Sequence, residues 1–193
     1  TPTVELVNDE APLEMLLGRF TGGTVSMSDA VFGGVRTDSV VMDLDPFDVD
    51  ARESIASRSL QSEDLRGDLR VEVSEEEVSR LAESRAGVPF EGVELSEGEM
   101  LVNTSVAVLG NEVPLTVRGG VGLEGRELSF LPGSIAIAGA DLPQEAVREI
   151  LGDLEVTFEL EGFPRGADIQ EARIEEGVIV LTGRMERLSP AGG

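Results

Sequence analysis

The sequence predicts an α+β fold in which long antiparallel strands form the core and two or three helices pack against them. Apolar and polar residues alternate with period two along most of the 193 residues, and short Gly, Asn and Pro turns separate the alternating segments. Apolar residues make up 40% of the chain but aromatic ones only 4%, so the expected core of Val, Leu, Ile and Ala suits strands. No linker is evident, and we expect one domain over residues 1–188 with a disordered tail at 189–193.

The N-terminal part is predicted to begin with a helix and to continue as paired strands. The helix is expected over Asn8–Phe20, with Pro12 in its first turn and leucines on one face. From Thr24 to Val49 the pattern changes to period two around a Gly33-Gly34 turn, which indicates a hairpin or meander. Residues 51–65 fit either a helix or a loop with one helical turn.

The clearest helix start in the sequence is Ser74. Glu77 follows it at the spacing of a capping box, in which each of the two side chains accepts a hydrogen bond from the other residue's backbone N–H. Apolar residues then recur on one face until Gly87 and Pro89 end the helix. A further helix is predicted over Pro143–Leu151.

The other segments are predicted to be strands. From Val88 to Ile137, alternating segments with short turns indicate a long antiparallel meander within one continuous sheet. Residues 154–160 alternate strictly between apolar and polar side chains. A last hairpin from Ile169 to Leu181 is expected to turn at Glu176-Gly177.

The residue types that the chain lacks restrict its chemistry. It contains no His, Cys, Lys, Tyr or Trp. These side chains supply most general acids, general bases and nucleophiles in enzymes. The composition therefore predicts a binding or structural domain rather than an enzyme. It excludes disulfides and thiolate metal sites, and no cofactor is expected.

The charge of the chain excludes several partners. Asp and Glu number 38 against 15 basic residues, all of them arginine, for a net charge of −23. Such a charge opposes binding to nucleic acid and adsorption to anionic lipid surfaces. No run of apolar residues is long enough to span a membrane, and no signal peptide is recognisable. Because the chain begins at Thr1 rather than Met, we expect that an export signal or anchor has been removed.

Two groups of residues are candidates for metal binding or catalysis. The acids Asp43, Asp45, Asp48 and Asp50 could supply oxygen ligands for calcium, but outward positions of an acidic strand explain them more simply. A serine–carboxylate pair could be formed by residues 26–29, where Ser26, Ser28 and Asp29 lie close together in sequence, although their alternation also suits a solvent-facing strand. No G-x-S-x-G motif is present.

Four segments in order resemble a known family. They are TVSMSDAVFGGVRTDSVVMDLDPFDVD, LRVEVSEEEVSRLAES, VPLTVRGGVGLEGRELSFLPGSIAIAGADLP and GADIQEARIEEGVIVLTG. Together they resemble the LmeA-like family of actinobacterial and cyanobacterial extracytoplasmic proteins. The resemblance implies an exported or membrane-anchored envelope protein that binds phospholipid, with phospholipase activity ascribed to a mycobacterial member. It also implies a long, curved antiparallel sheet around helices, similar to tubular lipid-binding folds. It transfers no catalytic motif to particular residues.

The resemblance and the strand pattern together predict an extracytoplasmic module that holds the acyl chains of a phospholipid or fatty acid in an apolar groove. The helices at 74–85 and 143–151 would pack on the concave face of the sheet. The residues expected to line the groove are Leu81, Phe130, Ile150, Val156 and Phe158. Contact with a membrane is expected only transiently or through a removed anchor, and no nucleic acid partner is expected.

Two alternatives remain open at this point. One is a lipid hydrolase of the phospholipase A type, with a serine and a carboxylate as the working pair. The other is a non-catalytic structural domain of the cell envelope with a fully packed interior. The three possibilities differ in whether the interior accepts a lipid and in whether that lipid is cleaved.

Overall fold

The computed structural model describes residues 3–7, 18–49, 65–85, 90–108, 111–143, 156–160, 163 and 166–188. Within these residues the chain forms fourteen strands and one helix, α1 (Glu75–Arg85). The strands are β1 (Thr3–Val7), β2 (Arg19–Phe20), β3 (Gly22–Phe32), β4 (Val35–Leu44), β5 (Phe47–Asp48), β6 (Leu65–Ser74), β7 (Phe90–Ser96), β8 (Glu99–Val108), β9 (Asn111–Glu124), β10 (Glu127–Ile137), β11 (Ala140–Asp141), β12 (Val156–Glu159), β13 (Ala167–Glu175) and β14 (Val178–Leu188).

The strands form two six-stranded antiparallel sheets. Sheet A has the order β1-β3-β4-β6-β14-β13. Sheet B has the order β11-β10-β9-β8-β7, and β12 also pairs with β10. A small third sheet joins β2 to β5. The predicted antiparallel sheet is confirmed, and the strands of the Val88–Ile137 meander do form one continuous sheet. The chain as described has two large sheets, however, rather than the single long sheet of the predicted fold class. Because β14 returns from the far end of the chain to pair with β6, the position beside β6 is filled and β7 begins a new sheet.

The helix predictions have mixed outcomes. The helix after Ser74 is confirmed as α1, the only helix in the described part of the chain, so the fold is dominated by sheet. The predicted N-terminal helix is wrong at its C-terminal end, because Arg19 and Phe20 form strand β2. The ring of Phe20 stacks on that of Phe47, with 5.3 Å between the ring centroids. Residues 8–17 of that helix, residues 51–64, the helix beyond Pro143 and the tail at 189–193 lie outside the described residues.

Two predicted hairpin turns are confirmed. The turn between β3 and β4 lies at Gly33 and Gly34, and the turn between β13 and β14 at Glu176-Gly177. The three glycines have φ values of 58°, 87° and 75°, in the left-handed region that glycine tolerates best. The meander predicted over Val88–Ile137 corresponds to β7 through β10.

One face of each sheet, called here the inner face, contributes alternate residues to a single apolar core. Val and Leu side chains separated by two positions supply most of it, as the pleat of a strand requires. The buried inner-face residues of sheet A include Val40, Met42, Leu44, Leu69, Val71, Val73, Ile169, Ile174, Ile179, Leu181 and Met185. Those of sheet B include Val93, Leu95, Met100, Leu115, Val117, Leu128, Phe130 and Ile135.

The two sheets are joined at a pair of hairpin turns. The backbone N–H of Gly177 donates to the carbonyl of Leu95, and the N–H of Gly98 donates to the carbonyl of Ile174, each at 3.0 Å. Elsewhere the ring of Phe32 from sheet A stacks on that of Phe163 at 5.1 Å. These contacts hold the inner faces around the shared core.

The start of α1 differs from the predicted capping box. Ser74 is the last residue of β6, and its N–H donates to the Asp38 carboxylate at 2.8 Å. The buried Glu77 carboxylate instead accepts the Arg36 backbone N–H at 2.8 Å and the Arg80 Nε–H at 2.7 Å. The prediction is wrong because β4 lies beside the helix start and offers these partners. Hydrogen bonds from Arg80 hold the pKa of Glu77 below its ordinary value, and the Arg36 N–H adds to this against the opposing effect of burial.

Candidate functional site

The inner faces of the two sheets differ in how completely they are covered. Most inner-face side chains of β4, β6 and β14 in sheet A are buried, as at Val71 and Leu181, although Leu65 at the start of β6 is half-buried. In sheet B several inner-face side chains pack against the core but remain half-buried. These are Val102 on β8, Val121 and Leu123 on β9, and Ile137 on β10. Apolar surface of sheet B is therefore left accessible beside a closed core.

Phe130, predicted to line the groove, lies next to this half-buried surface. It is a buried inner-face residue of β10 and is paired with Val121 on β9. A Cβ built at Gly119 would lie 2.8 Å from Cε2 of Phe130 and would clash with the carbonyl oxygen of Leu131. Glycine at this position of β9 therefore allows the Phe130 ring and the bulge between Pro132 and Ser134 to approach the neighbouring strand.

The backbone brings two other predicted lining residues beside Phe130. In the register of β10 with β12, Val156 is opposite Phe130 and Phe158 is opposite Leu128. Directly opposed positions on antiparallel strands are close neighbours. Three of the five predicted positions therefore occupy adjacent strands at one edge of sheet B.

The other two predicted lining residues are not part of this group. Leu81 is half-buried on α1, a helix that packs against β4, β6 and β7. The helix residues that contact the core are Val78 and Ala82. Ile150 lies outside the described residues.

Sequence reasoning missed the half-buried residues of sheet B. The alternation in EVPLTVRGGVGLEG does place Val121 and Leu123 on one face of a strand. The extent to which each side chain is covered depends on the elements packed over it, which no local pattern reveals. The inner-face positions of β9 from Val113 to Leu123 are all apolar or glycine, so no charge interrupts this surface.

The acidic run is used for contacts on the outer face of sheet A. The Asp43 carboxylate accepts the Thr24 hydroxyl at 2.8 Å. The Asp45 carboxylate pairs with Arg184 at 2.6 Å, and Arg184 also reaches Asp68 at 3.2 Å. No group of three or more potential ligand residues in the described ranges is arranged to hold a metal ion. Asp50 lies outside those ranges.

The serine and acid considered for catalysis do not face the apolar interior. Ser26 and Ser28 share the outer face of β3 with Thr24, because Val25 and Met27 between them pack against the core. Asp29 is exposed within β3, where its φ is 54°. An acyl ester held on the inner face would therefore be separated from these residues by the sheet.

Accessible apolar surface beside a closed core is a feature of ligand-binding grooves and of interaction surfaces. The chain belongs to the LmeA-like phospholipid-binding family, whose sequence profile matches residues 1–184. Neither the curated proteins nor the solved structures contain a match to the chain. No helix among the described residues is both long enough and apolar enough to cross a membrane.

Proposed function

We propose that this protein binds a phospholipid in an extracytoplasmic compartment and holds its acyl chains against the inner face of sheet B. The observation that carries the proposal is the half-buried apolar surface at Val121 and Leu123 on β9, beside the core residue Phe130. Val102 and Ile137 are half-buried farther along the same face. Membership of a phospholipid-binding family supports this class of ligand.

The energetics of this surface suit an acyl chain. Covering apolar surface yields about 25 cal/mol per Å², or about 0.8 kcal/mol for each methylene removed from water. Association and ordering of the lipid oppose this gain, so only part of it appears as affinity. Because the inner-face positions of β9 carry no charge, no carboxylate must lose its hydration when an acyl chain covers them.

The proposed location is supported by resemblance to extracytoplasmic members of the family. The net charge of −23 supports the related proposal that contact with a membrane is brief, since anionic lipid surfaces would repel the protein. Lipid would therefore be taken up from neutral or zwitterionic regions of a bilayer.

Mass spectrometry of an organic-solvent extract tests the proposal. The natively purified protein is extracted directly and again after incubation with vesicles of palmitoyl-oleoyl-phosphatidylcholine. We expect intact phospholipid in stoichiometric amount in at least one of the two extracts. Lysophospholipid with free fatty acid would instead support a hydrolase. Absence of lipid from both extracts would contradict lipid binding and favour a structural domain.

A further inference from the structure

The inner face of sheet A extends beyond the core at one edge. In the strand register Val4 of β1 is opposite Val25 of β3, which is opposite Met42 of β4. Paired residues share a face of the sheet, so these three side chains form one row on the inner face. Met42 is buried and Val25 half-buried, but Val4 is 56% exposed. The apolar face is thus progressively uncovered toward β1.

The neighbouring row shows the same change and is physically continuous with the core. Leu6 is opposite Gly23, and Gly23 is opposite the buried Leu44. A Cβ placed on Gly23 would lie 3.3 Å from Cδ2 of Leu6 and 3.6 Å from Cδ1 of Leu44. The two leucines therefore flank the bare glycine, although Leu6 is itself 42% exposed. Solvent-exposed apolar surface leads from this edge directly to the core.

We propose that this edge, the β1 ledge formed by Val4, Leu6, Val25 and Met27, receives an acyl chain of a zwitterionic phospholipid as the lipid is loaded. The inference rests on the proposed function, because it assumes that the inner face holds acyl chains. It adds an access point on sheet A that is distinct from the half-buried surface of sheet B.

The charges around the ledge favour an acyl chain over a charged ligand. The outer face of the same strands carries the opposed residues Glu5 and Thr24, with Asp43 and Asp68 following across the sheet. Carboxylates are thus directed to the outer face, and the ledge residues are uncharged. The neighbouring acids disfavour an anionic headgroup, which makes a zwitterionic lipid the better fit.

A second copy of the chain fits the ledge less well. A standard protein interface buries roughly 800 Å² on each partner, and four aliphatic side chains, two of them half-buried, present far less. Two copies with a net charge of −23 each would also repel one another.

Substitutions at two valines of similar exposure test the ledge. Val4→Asp places a charge on it. Val31→Asp is the matched control, because Val31 on β3 is 62% exposed. Its side chain points to the outer face, since its neighbours Ala30 and Phe32 pack against the core. Uptake from palmitoyl-oleoyl-phosphatidylcholine vesicles is followed by native mass spectrometry. We expect Val4→Asp to slow uptake about tenfold or more, and Val31→Asp and the apolar Val4→Leu to load at the wild-type rate.

The other results separate failure of the ledge from failure of lipid binding. If the wild-type protein loads lipid and Val4→Asp loads it equally fast, the inference about the ledge is overturned and the proposed function stands. Wild-type protein that loads no lipid would overturn both. A wild-type dimer in light scattering that Val4→Asp converts to a monomer would show that the ledge binds a second copy, and would also overturn the inference.

Discussion

Sheets A and B each contain six antiparallel strands, but at the centre of sheet A apolar side chains on both faces are buried. At its centre the inner-face Leu181 is 1% exposed, and Val180, on the opposite face, is fully buried. In sheet B the inner-face Leu123 is half-buried, and on the outer face Leu131 is 51% exposed. At these positions sheet A packs apolar side chains on both faces, whereas sheet B keeps apolar surface that a ligand could cover.

Long charged side chains cover Val180 on the outer face of sheet A. Val180 is opposite Glu72 on β6 and Arg173 on β13, so their side chains flank it. Arg70 pairs with Glu72 at 2.9 Å and with Glu175 at 3.1 Å. The aliphatic portions of such long side chains can cover apolar surface while their charged groups remain in water.

The largest effect on stability is expected from Leu181→Ala at the centre of sheet A. Removal of a fully buried leucine side chain leaves a cavity and costs about 2–5 kcal/mol in the free energy of unfolding. Urea denaturation measures this cost. The matched control is Leu131→Ala, because Leu131 is 51% exposed. It should change the free energy of unfolding by no more than about 0.5 kcal/mol. Equal losses for the two variants would show that the sheets do not differ in this way.

The same substitution in sheet B should affect lipid binding more than folding. Leu123→Ala removes a half-buried inner-face side chain that the proposed acyl chain would cover. We expect affinity for phosphatidylcholine to fall about tenfold, with a loss in unfolding free energy well below that of Leu181→Ala. Titration calorimetry and urea denaturation measure the two quantities. Unchanged affinity with a large loss of stability would assign Leu123 to the core alone.

A smaller effect is expected where α1 joins sheet A. Glu77→Gln removes the charge that accepts hydrogen bonds from Arg80 and the Arg36 N–H, at a cost of about 1–3 kcal/mol. The exposed Glu76 of the same helical turn provides the control Glu76→Gln, which should be nearly neutral.

Acid denaturation gives an independent measurement at the same position. The pKa of Glu77 is lower in the folded protein than its ordinary 4.5, so the unfolded chain binds more protons as the pH falls through this range. The stabilisation by Glu77 is therefore complete above about pH 5 and is lost below the lowered pKa. Glu77→Gln should lack this part of the pH dependence, and an acid limb identical to that of the wild type would contradict the assignment.

The smallest effect is expected on the outer face of sheet A. Arg184 pairs with Asp45 and Asp68, but all three side chains are more than two-fifths exposed. Exposed ion pairs contribute about 0–1 kcal/mol and are screened by salt. Arg184→Gln should therefore cost less than about 1 kcal/mol, and the cost should shrink in 1 M NaCl. A salt-independent loss above about 2 kcal/mol would contradict the expectation that these exposed ion pairs contribute little to the stability of sheet A.

Local features of the fold could be predicted from the sequence, whereas long-range pairing could not. The Gly33-Gly34 turn was predictable because positive φ values favour glycine, and α1 because Ser74 precedes an acidic first turn. The acids of that turn, however, bind Arg36 and Leu95, which lie on strands distant in sequence. The pairing of β14 with β6 likewise has no local signal, and it is this pairing that divides the strands into two sheets.

For the candidate site as well, the sequence predicts which residues face inward but not which of them stay uncovered. Alternation identified Phe130 as an inward residue, and the backbone register places Val156 beside it. Helical spacing alone places Leu81 on the apolar face of α1, and it does not reveal that the neighbours of α1 are β4, β6 and β7. The half-buried state of Val121 depends on what the rest of the chain leaves uncovered, so only the folded arrangement could identify it.

Photo-crosslinking tests the central claim, that acyl chains bind on the inner face of sheet B, most directly. The protein is loaded with phosphatidylcholine that carries a diazirine on one acyl chain, irradiated, digested and sequenced by mass spectrometry. The account predicts label on inner-face residues of β9 and β10, with Val121 and Leu123 foremost. Label confined to outer-face residues such as Leu131, or no label above an unloaded control, would contradict it.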